Sequence, residues 1–590
     1  MQQASRRLSS LPSRLRPYLN WETGAYAVLF LVALVMRLWD LGARGVSHDE
    51  SLHGIYSWYL ATGSGYSHDP MMHGPFLFHG TALNFLIFGD SDVTLRLLAV
   101  LLGTGLVVLP YFLRRHLGRW GSLCVAALLA FSPTFLYFSR YARNDVIIAF
   151  WTVLLLILMW RYFEEKKARY LYMSAAVLSF SFCTKETSYI TTATFALILV
   201  VVAARELLAR VRKRFDLKGL SPPAEFALLI TTLSLPLYAA FIQVIPGVDL
   251  PSGFHWVKML ITLVLFAICV AIGIRWDWRR WLVSTVVFYG VFALLYTAFF
   301  TNPSGFISGL WGSVDYWVEQ QSVARGGQPW FYYFMLLPVY EFLPLLFAAI
   351  GAVYYAIKGN LFSRFLIAWG LLSLLAYSYS GEKMPWIAVH MALPAILLGG
   401  MFIARLLQGF DWSGTRAWVL RGVTVAILLV LFPFSVYGAV QESYVKSEER
   451  PQMLVYAGIS YDVPRMVSHI EDFAEQRGEG RDISITVDGP LTWPWYWYLR
   501  NHTHVGYPNL GSITEPPDST VVAVDVGHQS AVEPYLDGYE EVGRFSELLW
   551  FPEEYRDLDP GWWWRYFLQR ETQGPYWSTE GILYFIESSE

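Results

Sequence analysis

The stretch AYAVLFLVALVMRLWDLGARGVSHDE, Ala25 to Glu50, sets a long apolar run against a tail ending in His48, Asp49 and Glu50. The run, taken as 24–41, approaches the ~20 residues that a helix needs to cross a hydrocarbon core. Similar runs recur, among them VIIAFWTVLLLILMW from Val146 to Trp160. Of the 590 residues, 55% are hydrophobic and only 15% are charged, against about 25% charged in ordinary soluble domains. Lipid is therefore the solvent for much of the chain, which excludes a cytosolic enzyme. The net charge of −3 comes with no basic cluster at the spacing of a base-reading module, so no nucleic-acid partner is expected.

Extending the count predicts a mostly α fold: a polytopic membrane helix bundle of about thirteen spans with a C-terminal extracytoplasmic α/β domain. One span, 331–357, is interrupted by Pro338, Glu341 and Pro344. Orientation follows from the basic residues of short loops. With the N-terminus inside, the inner segments collect Arg6, Arg7, Arg14 and Arg16, then Arg114, Arg115 and Arg119, and further clusters such as Arg205 to Lys218. The opposite side, up to residue 440, holds Arg44, Arg96, Arg140, Arg143, Lys185, Lys258, Arg325 and Lys383. An odd number of spans then places the C-terminus outside. Three segments are expected: a cytoplasmic N-terminal tail (1–23), a transmembrane domain (24–440) with a first outer loop at 42–93, and an extracytoplasmic domain (441–590). The first run lacks a small-residue cleavage site and reads as a retained anchor. Cys124, Cys183 and Cys269 all fall in apolar runs, so the polar C-terminal part has no disulfide framework. There MLVYAG, ISITVD and STVVAVDV read as short strands, and VPRMVSHIEDFAEQ has helical spacing at Val463, Met466, Ile470 and Phe473.

The outer side carries the chemistry. Its basic residues lie beside acids in HDE (48–50), SRYARND (139–145), TKE (184–186) and GEKMPW (381–386). Ionisable groups so close to hydrocarbon are expensive and mark a functional site by default. On a helix, Asp49 and His53 share a face, with Glu50 nearby. A carboxylate there can act as a general base; Ser47 can equally cap the helix, with both acids in its first turn. A divalent metal held by Asp49, Glu50 and His53, joined by His68, Asp69 or His73, is a further reading, with no motif spacing to specify it. Arg143 with Asp145, and Lys185 with Glu186, read either as local ion pairs or as binding groups. Lys383 follows Glu382 in a loop stiffened by Pro385. Basic groups at this depth suit a lipid phosphate. The aromatic TWPWYWYL suits a sugar face or an interfacial belt.

These residues resemble the C-type glycosyltransferase superfamily. The acid pair Asp49-Glu50, the stretch DPMMHGPFLFHGTALNFLIFGDSDVTLRLLAVLLGTG and AFSPTFLYFSRYARNDV are similar to family 39, the branch of protein O-mannosyltransferase-like and aminoarabinose-transferase-like proteins. Here the family's commoner HPP stands as His73-Gly74-Pro75. SHDESLHG, SRYARNDV, TKETSYI and GEKMPW further resemble a prokaryotic group named for flippase activity in archaeal-type N-glycosylation. The resemblance implies an inverting enzyme of a prokaryotic cell membrane. Such an enzyme moves a sugar from a polyprenyl-phosphate carrier to a lipid, glycan or protein acceptor on the outer face. It implies Asp49 as general base with Glu50 in support. Substrate contacts are then expected from His53, His73, Arg143, Asp145, Lys185, Glu186, Glu382 and Lys383. The rival expectation is a flippase or transport component that moves lipid-linked sugar without making bonds; its best single feature is Glu341. A transporter should carry its polar residues near the midplane and show repeats, whereas these acids gather at one edge.

Overall fold

The computed structural model describes residues 20–587 apart from 213–214, 246–247, 249, 252–253, 324–326, 411–412, 446–451, 456, 551–558 and 571–576. Most of the expected N-terminal tail, and Arg325, lie outside the described residues. Among these residues, nine helices are long and apolar enough to cross a membrane, or eleven if each of two bent helix pairs is one span. The pairs are Arg119–Phe131 with Pro133–Ser139, bent by 57°, and Tyr332–Tyr340 with Phe342–Lys358, bent by 110°. The second break falls at Glu341, where the expected span was interrupted.

The count differs from about thirteen at two places, the second only because one helical stretch holds two of the expected spans. Ala168–Phe182, on the expected span 171–188, is a helix of only 15 residues. The expected spans 256–274 and 281–300 lie in one helical stretch, Trp256–Tyr296, broken at Asp277, whose φ of −155° and ψ of 96° are not helical. Asp277 accepts a hydrogen bond from the Arg280 N–H at 3.1 Å and so caps the second arm. A Cβ on Gly273 would lie 2.2 Å from the Trp281 ring, and Phe266 meets both Trp281 and Tyr289. The two arms therefore run side by side, and glycine is what lets them turn so tightly.

Helices at the rim, such as Thr415–Val440, bury few side chains and leave Val419, Val423, Leu429 and Val430 exposed. That pattern fits lipid contact, since an all-apolar helix cannot rest in water. At the centre, Ala388–Leu407 is buried along almost its whole length. It packs against Arg119–Phe131, Phe342–Lys358 and Leu361–Tyr379.

The C-terminal part forms a sheet of β1 (Ala457–Ile459), β2 (Ile485–Val487), β3 (Val505–Gly506), β4 (Val521–Asp525), β5 (Tyr539–Trp550) and β6 (Trp577–Ile586). Its order is β1-β5-β6-β4-β2-β3. β2 pairs parallel with β3 and β4, whereas β6 runs antiparallel between β4 and β5. Val521 to Val524 are all buried, which explains an apolar run without alternation. Helix Asp462–Arg477 buries Val463, Met466 and Ile470 as its spacing predicts, with Phe473 stacked on Phe585 at 4.2 Å. MLVYAG is only partly a strand. Met453, Leu454 and Val455 pack into the core of the membrane bundle, and the Met453 N–H donates to Tyr566 Oη at 2.9 Å. β5 and β6 carry charges among their apolar residues, and their sequence did not announce them.

Among the described residues, two helices help to seat this domain. Tyr566, on helix Pro560–Gln569, meets Tyr340 hydroxyl to hydroxyl at 2.9 Å. Helix Thr492–Tyr498, from TWPWYWYL, packs on helix His48–Thr62. There Tyr498 Oη accepts the Val46 N–H at 2.8 Å, and Trp497 Nε1 donates to Asp92 at 2.8 Å. Much of that aromatic run therefore serves as an anchor for the first polar loop.

Candidate functional site

Helix His48–Thr62 begins as its sequence predicts. Ser47 caps it, accepting the Glu50 N–H, while the Glu50 carboxylate accepts the Ser47 N–H. Consecutive helix residues point about 100° apart, so Asp49 and Glu50 meet different partners. Glu50 is fully buried and grips Arg96 with both oxygens, at 2.8 and 2.9 Å. It also accepts the Ala142 N–H at 2.9 Å. Arg96 spends its remaining donors on the carbonyls of Leu41, Arg44 and Gly45. Burial pushes the Glu50 carboxyl up, but Arg96 and then Arg44 outweigh it and hold it down at about 2. Glu50 thus ties the 41–47 loop to the following span and faces away from the open side.

Asp49 points the other way. Its side chain is 35% exposed and pairs directly with the Arg143 guanidinium. Burial raises the Asp49 carboxyl, and Arg143, followed by His48, overrides this and keeps it well below the usual carboxylate range. Arg143 in turn lies over the Trp386 ring, 3.4 Å from its centroid, a geometry that holds a cation without neutralising it. His53 is buried on the same helix, its Nδ1 bonded to the Ala142 carbonyl at 2.8 Å. Burial and then Arg143 hold its imidazole down at about 3, which favours the neutral ring.

Asp145 is fully buried between Lys185 Nζ, at 2.9 and 3.0 Å from its two oxygens, and His390 Nε2 at 3.2 Å. Tyr377 stacks on His390. Burial lowers the Lys185 ammonium, and Asp145 opposes this only in part. His73 Nδ1 meets Glu186 at 2.6 Å. His73 takes φ 67° and ψ −165°, a region other than glycine rarely occupies, at a cost of about 1–3 kcal/mol. The next residue explains why it is held there. The Gly74 N–H donates to the Thr184 carbonyl at 3.2 Å, and a Cβ on Gly74 would lie 2.3 Å from the Cys183 oxygen. Proline at 74 would have neither the N–H nor the room.

His73, Arg143, Lys185, Glu186 and Glu382 line one small cleft, together with Trp386. Lys383 sits at its edge, its Nζ donating to the carbonyl of Ser380, itself a lining residue, at 2.6 Å. Among the described residues, Lys383 pairs with no carboxylate. Segments distant in sequence therefore converge, by way of Asp49, Arg143 and Trp386. The expected metal set does not. Asp49 and Glu50 turn to different arginines and His53 to a carbonyl. Among the described residues, no group of three His, Cys, Asp or Glu is arranged to hold a metal ion. The cause is the same 100° divergence along the helix.

Sequence reasoning missed His390, Trp386, Tyr377 and Trp317, which lie on or beside the cleft. His390 is a lone histidine in an apolar helix, a pattern that more often means a satisfied core residue. Trp386 was legible only as the last letter of GEKMPW. Glu341, the rival's best feature, is buried at the 110° break. There it accepts the Ser132 hydroxyl and, at 3.1 Å, the Thr134 N–H, and so caps the helix Pro133–Ser139 at the other bend.

Residues 72–215 match the family model of dolichyl-phosphate-mannose-protein mannosyltransferases. That span holds His73, Arg143, Asp145, Lys185 and Glu186, and leaves out Asp49 and Lys383. No curated protein matches the chain by sequence. Among solved structures, the chain is similar to the Archaeoglobus fulgidus oligosaccharyltransferase tethered with an acceptor peptide. The identity is 11% and the TM-score 0.53, over 91% of this chain and 73% of that one. It is also similar to ArnT from Cupriavidus metallidurans bound to undecaprenyl phosphate. The identity is 15% and the TM-score 0.52, over 88% of this chain and 96% of that one. The family match bears out the resemblance stated from the sequence over that span, and the structural likenesses bear out the expected fold, a polytopic membrane bundle with a C-terminal domain.

Proposed function

We propose that the chain is a membrane glycosyltransferase that moves a sugar from a polyprenyl-phosphate carrier to an acceptor on the outer face, with inversion. In this reading, 24–440 is the transferase domain and 441–590 an extracytoplasmic domain seated on its first loop. The observation that carries the proposal is the Asp49–Arg143 pair at a cleft lined with basic groups. In the resting state Arg143 suppresses the basicity of Asp49. An arriving lipid phosphate competes for Arg143 and draws charge away from Asp49, whose affinity for a proton then rises. Asp49 takes the proton from the acceptor hydroxyl or amide as that atom attacks the anomeric carbon. The bond from that carbon to the phosphate oxygen breaks, and the electron pair leaves with the phosphate. Arg143 and Lys383 stabilise the developing charge, Lys383 being paired with no carboxylate among the described residues. Asp145, Lys185 and His390 set the floor of the cleft, and Glu186 orients His73. Glu50 acts through the fold, by holding the helix that bears Asp49.

A transport-only reading finds less support, because Glu341 already has a capping role. The deciding experiment incubates purified full-length protein with radiolabelled polyprenyl-phosphate sugars, with and without chelator, and follows label into acceptor. Label that stays on the lipid under every condition refutes the proposal.

A further inference from the structure

The opposite end of the bundle holds a second cavity, of about 370 Å³, between the helix ends around Arg115, Lys358 and Arg405. It lies far from the cleft. Asp145 and Glu164 stand near the two ends of one helix, Asn144–Glu165, ~28 Å apart at 1.5 Å per residue. That is close to the ~30 Å of a hydrocarbon core. Glu164 binds Arg115 at 2.9 Å and His116 at 3.1 Å just behind the cavity wall. The described lining itself contains Arg115, Lys358 and Arg405 and no Asp or Glu. Basic residues that only set membrane orientation need no concave wall, yet here three of them converge on one recess.

The neighbouring surface indicates the occupant. On helix Phe342–Lys358, Leu346, Ile350, Val353 and Ile357 are exposed and spaced three or four apart. They form one apolar stripe that ends at Lys358, on the rim of the cavity. We propose that this cavity binds the phosphate headgroup of an anionic membrane lipid in the leaflet opposite the cleft, with an acyl chain along that stripe. Asn360 and Ser363, also on the wall, supply polar side chains beside the headgroup. Basic pockets between membrane helices recognise anionic headgroups by this chemistry. The site is separate from the cleft and does not depend on the transfer reaction.

The test uses full-length protein in detergent, stripped of lipid, and titrated with phosphatidylglycerol, phosphatidylcholine or inorganic phosphate. Bound lipid is counted by native mass spectrometry and stability is read from thermal melting. Phosphatidylglycerol is expected to bind and raise the melting temperature, with phosphatidylcholine and free phosphate much weaker. Each cation removed is expected to weaken binding roughly fivefold, tested in Lys358→Gln and in the combined Arg115→Gln, Lys358→Gln, Arg405→Gln protein. Arg364→Gln, outside the cavity, should bind as the parent does. Lys358 is exposed, so its single variant remains informative if the triple one does not fold. Equal binding of phosphatidylglycerol by parent and variants overturns the proposal, as does equal binding of the two lipids. Free phosphate acting as strongly as the lipid also overturns it, in favour of a soluble anion.

Discussion

Arg143 closes on the carboxylate of Asp49 across 94 residues of sequence, and on its other side lies over Trp386. This one guanidinium links the first polar helix, the start of the span Asn144–Glu165 and the loop before the buried helix Ala388–Leu407. In the proposed reaction it would couple Asp49 to the lipid phosphate.

Asp49→Asn should remove sugar transfer while leaving the fold in place, because the carboxylate is partly exposed and its loss breaks no backbone contact. Losing a positioned general base costs about 10²–10⁴-fold in rate. Turnover from a lipid donor, read beside the melting temperature, separates the two effects. Full activity in this variant refutes the base assignment.

Glu50→Gln, one residue on, should behave differently. It leaves Arg96 buried without its counter-charge, and breaking a buried pair from one side costs about 3–5 kcal/mol. The expected signature is a lower melting temperature and poor yield, with whatever protein folds still turning over substrate. A fully stable but inactive variant would contradict this.

Acid should destabilise the protein through the same pair. The Glu50 carboxyl sits at about 2 when folded, against 4.5 in its ordinary state. A depressed carboxylate stabilises the fold above its unfolded value, and that contribution fades as pH falls from about 4.5 towards 2. It amounts to about 3 kcal/mol. Thermal melting between pH 6 and pH 3 should show the loss, and a variant lacking the pair should show a smaller slope.

Lys383→Met should weaken the donor rather than the fold. This ammonium touches only a carbonyl among the described residues, and burial already lowers its proton affinity. A higher KM for the polyprenyl-phosphate sugar, by about tenfold, with unchanged melting is expected of a lost charge-assisted contact. An unchanged KM removes Lys383 from the phosphate site.

Glu341→Gln should matter little to transfer, since an amide oxygen can still accept the Ser132 hydroxyl and the Thr134 N–H. Abolished transfer there, combined with an active Asp49→Asn, would turn the reading towards transport.

Much of the fold was legible because lipid imposes a simple rule: a spanning segment must be long, apolar and helical. The hairpin at Asp277 shows the rule reaching sub-span detail, since two runs separated by RWDWRR were read as two arms. The strands β5 and β6 escaped because their residues alternate around charges and bulges. Their pairing supplies a stability that no local pattern records.

For the cleft, the sequence by itself determined which residue types gather at one edge of the bundle: Asp49, Arg143, Lys185 and Lys383 all flank spans on the same side. What only the tertiary structure decided is who meets whom. Asp49 and Glu50 are adjacent letters with the same carboxylate, yet one is partly exposed and pairs with Arg143 on the cleft wall while the other meets a buried arginine, because a helix turns about 100° per residue. His390, which no local pattern marked, is Asp145's partner for a related reason. Packing of chain-distant helices settles a side chain's surroundings, and one-dimensional patterning carries only its depth.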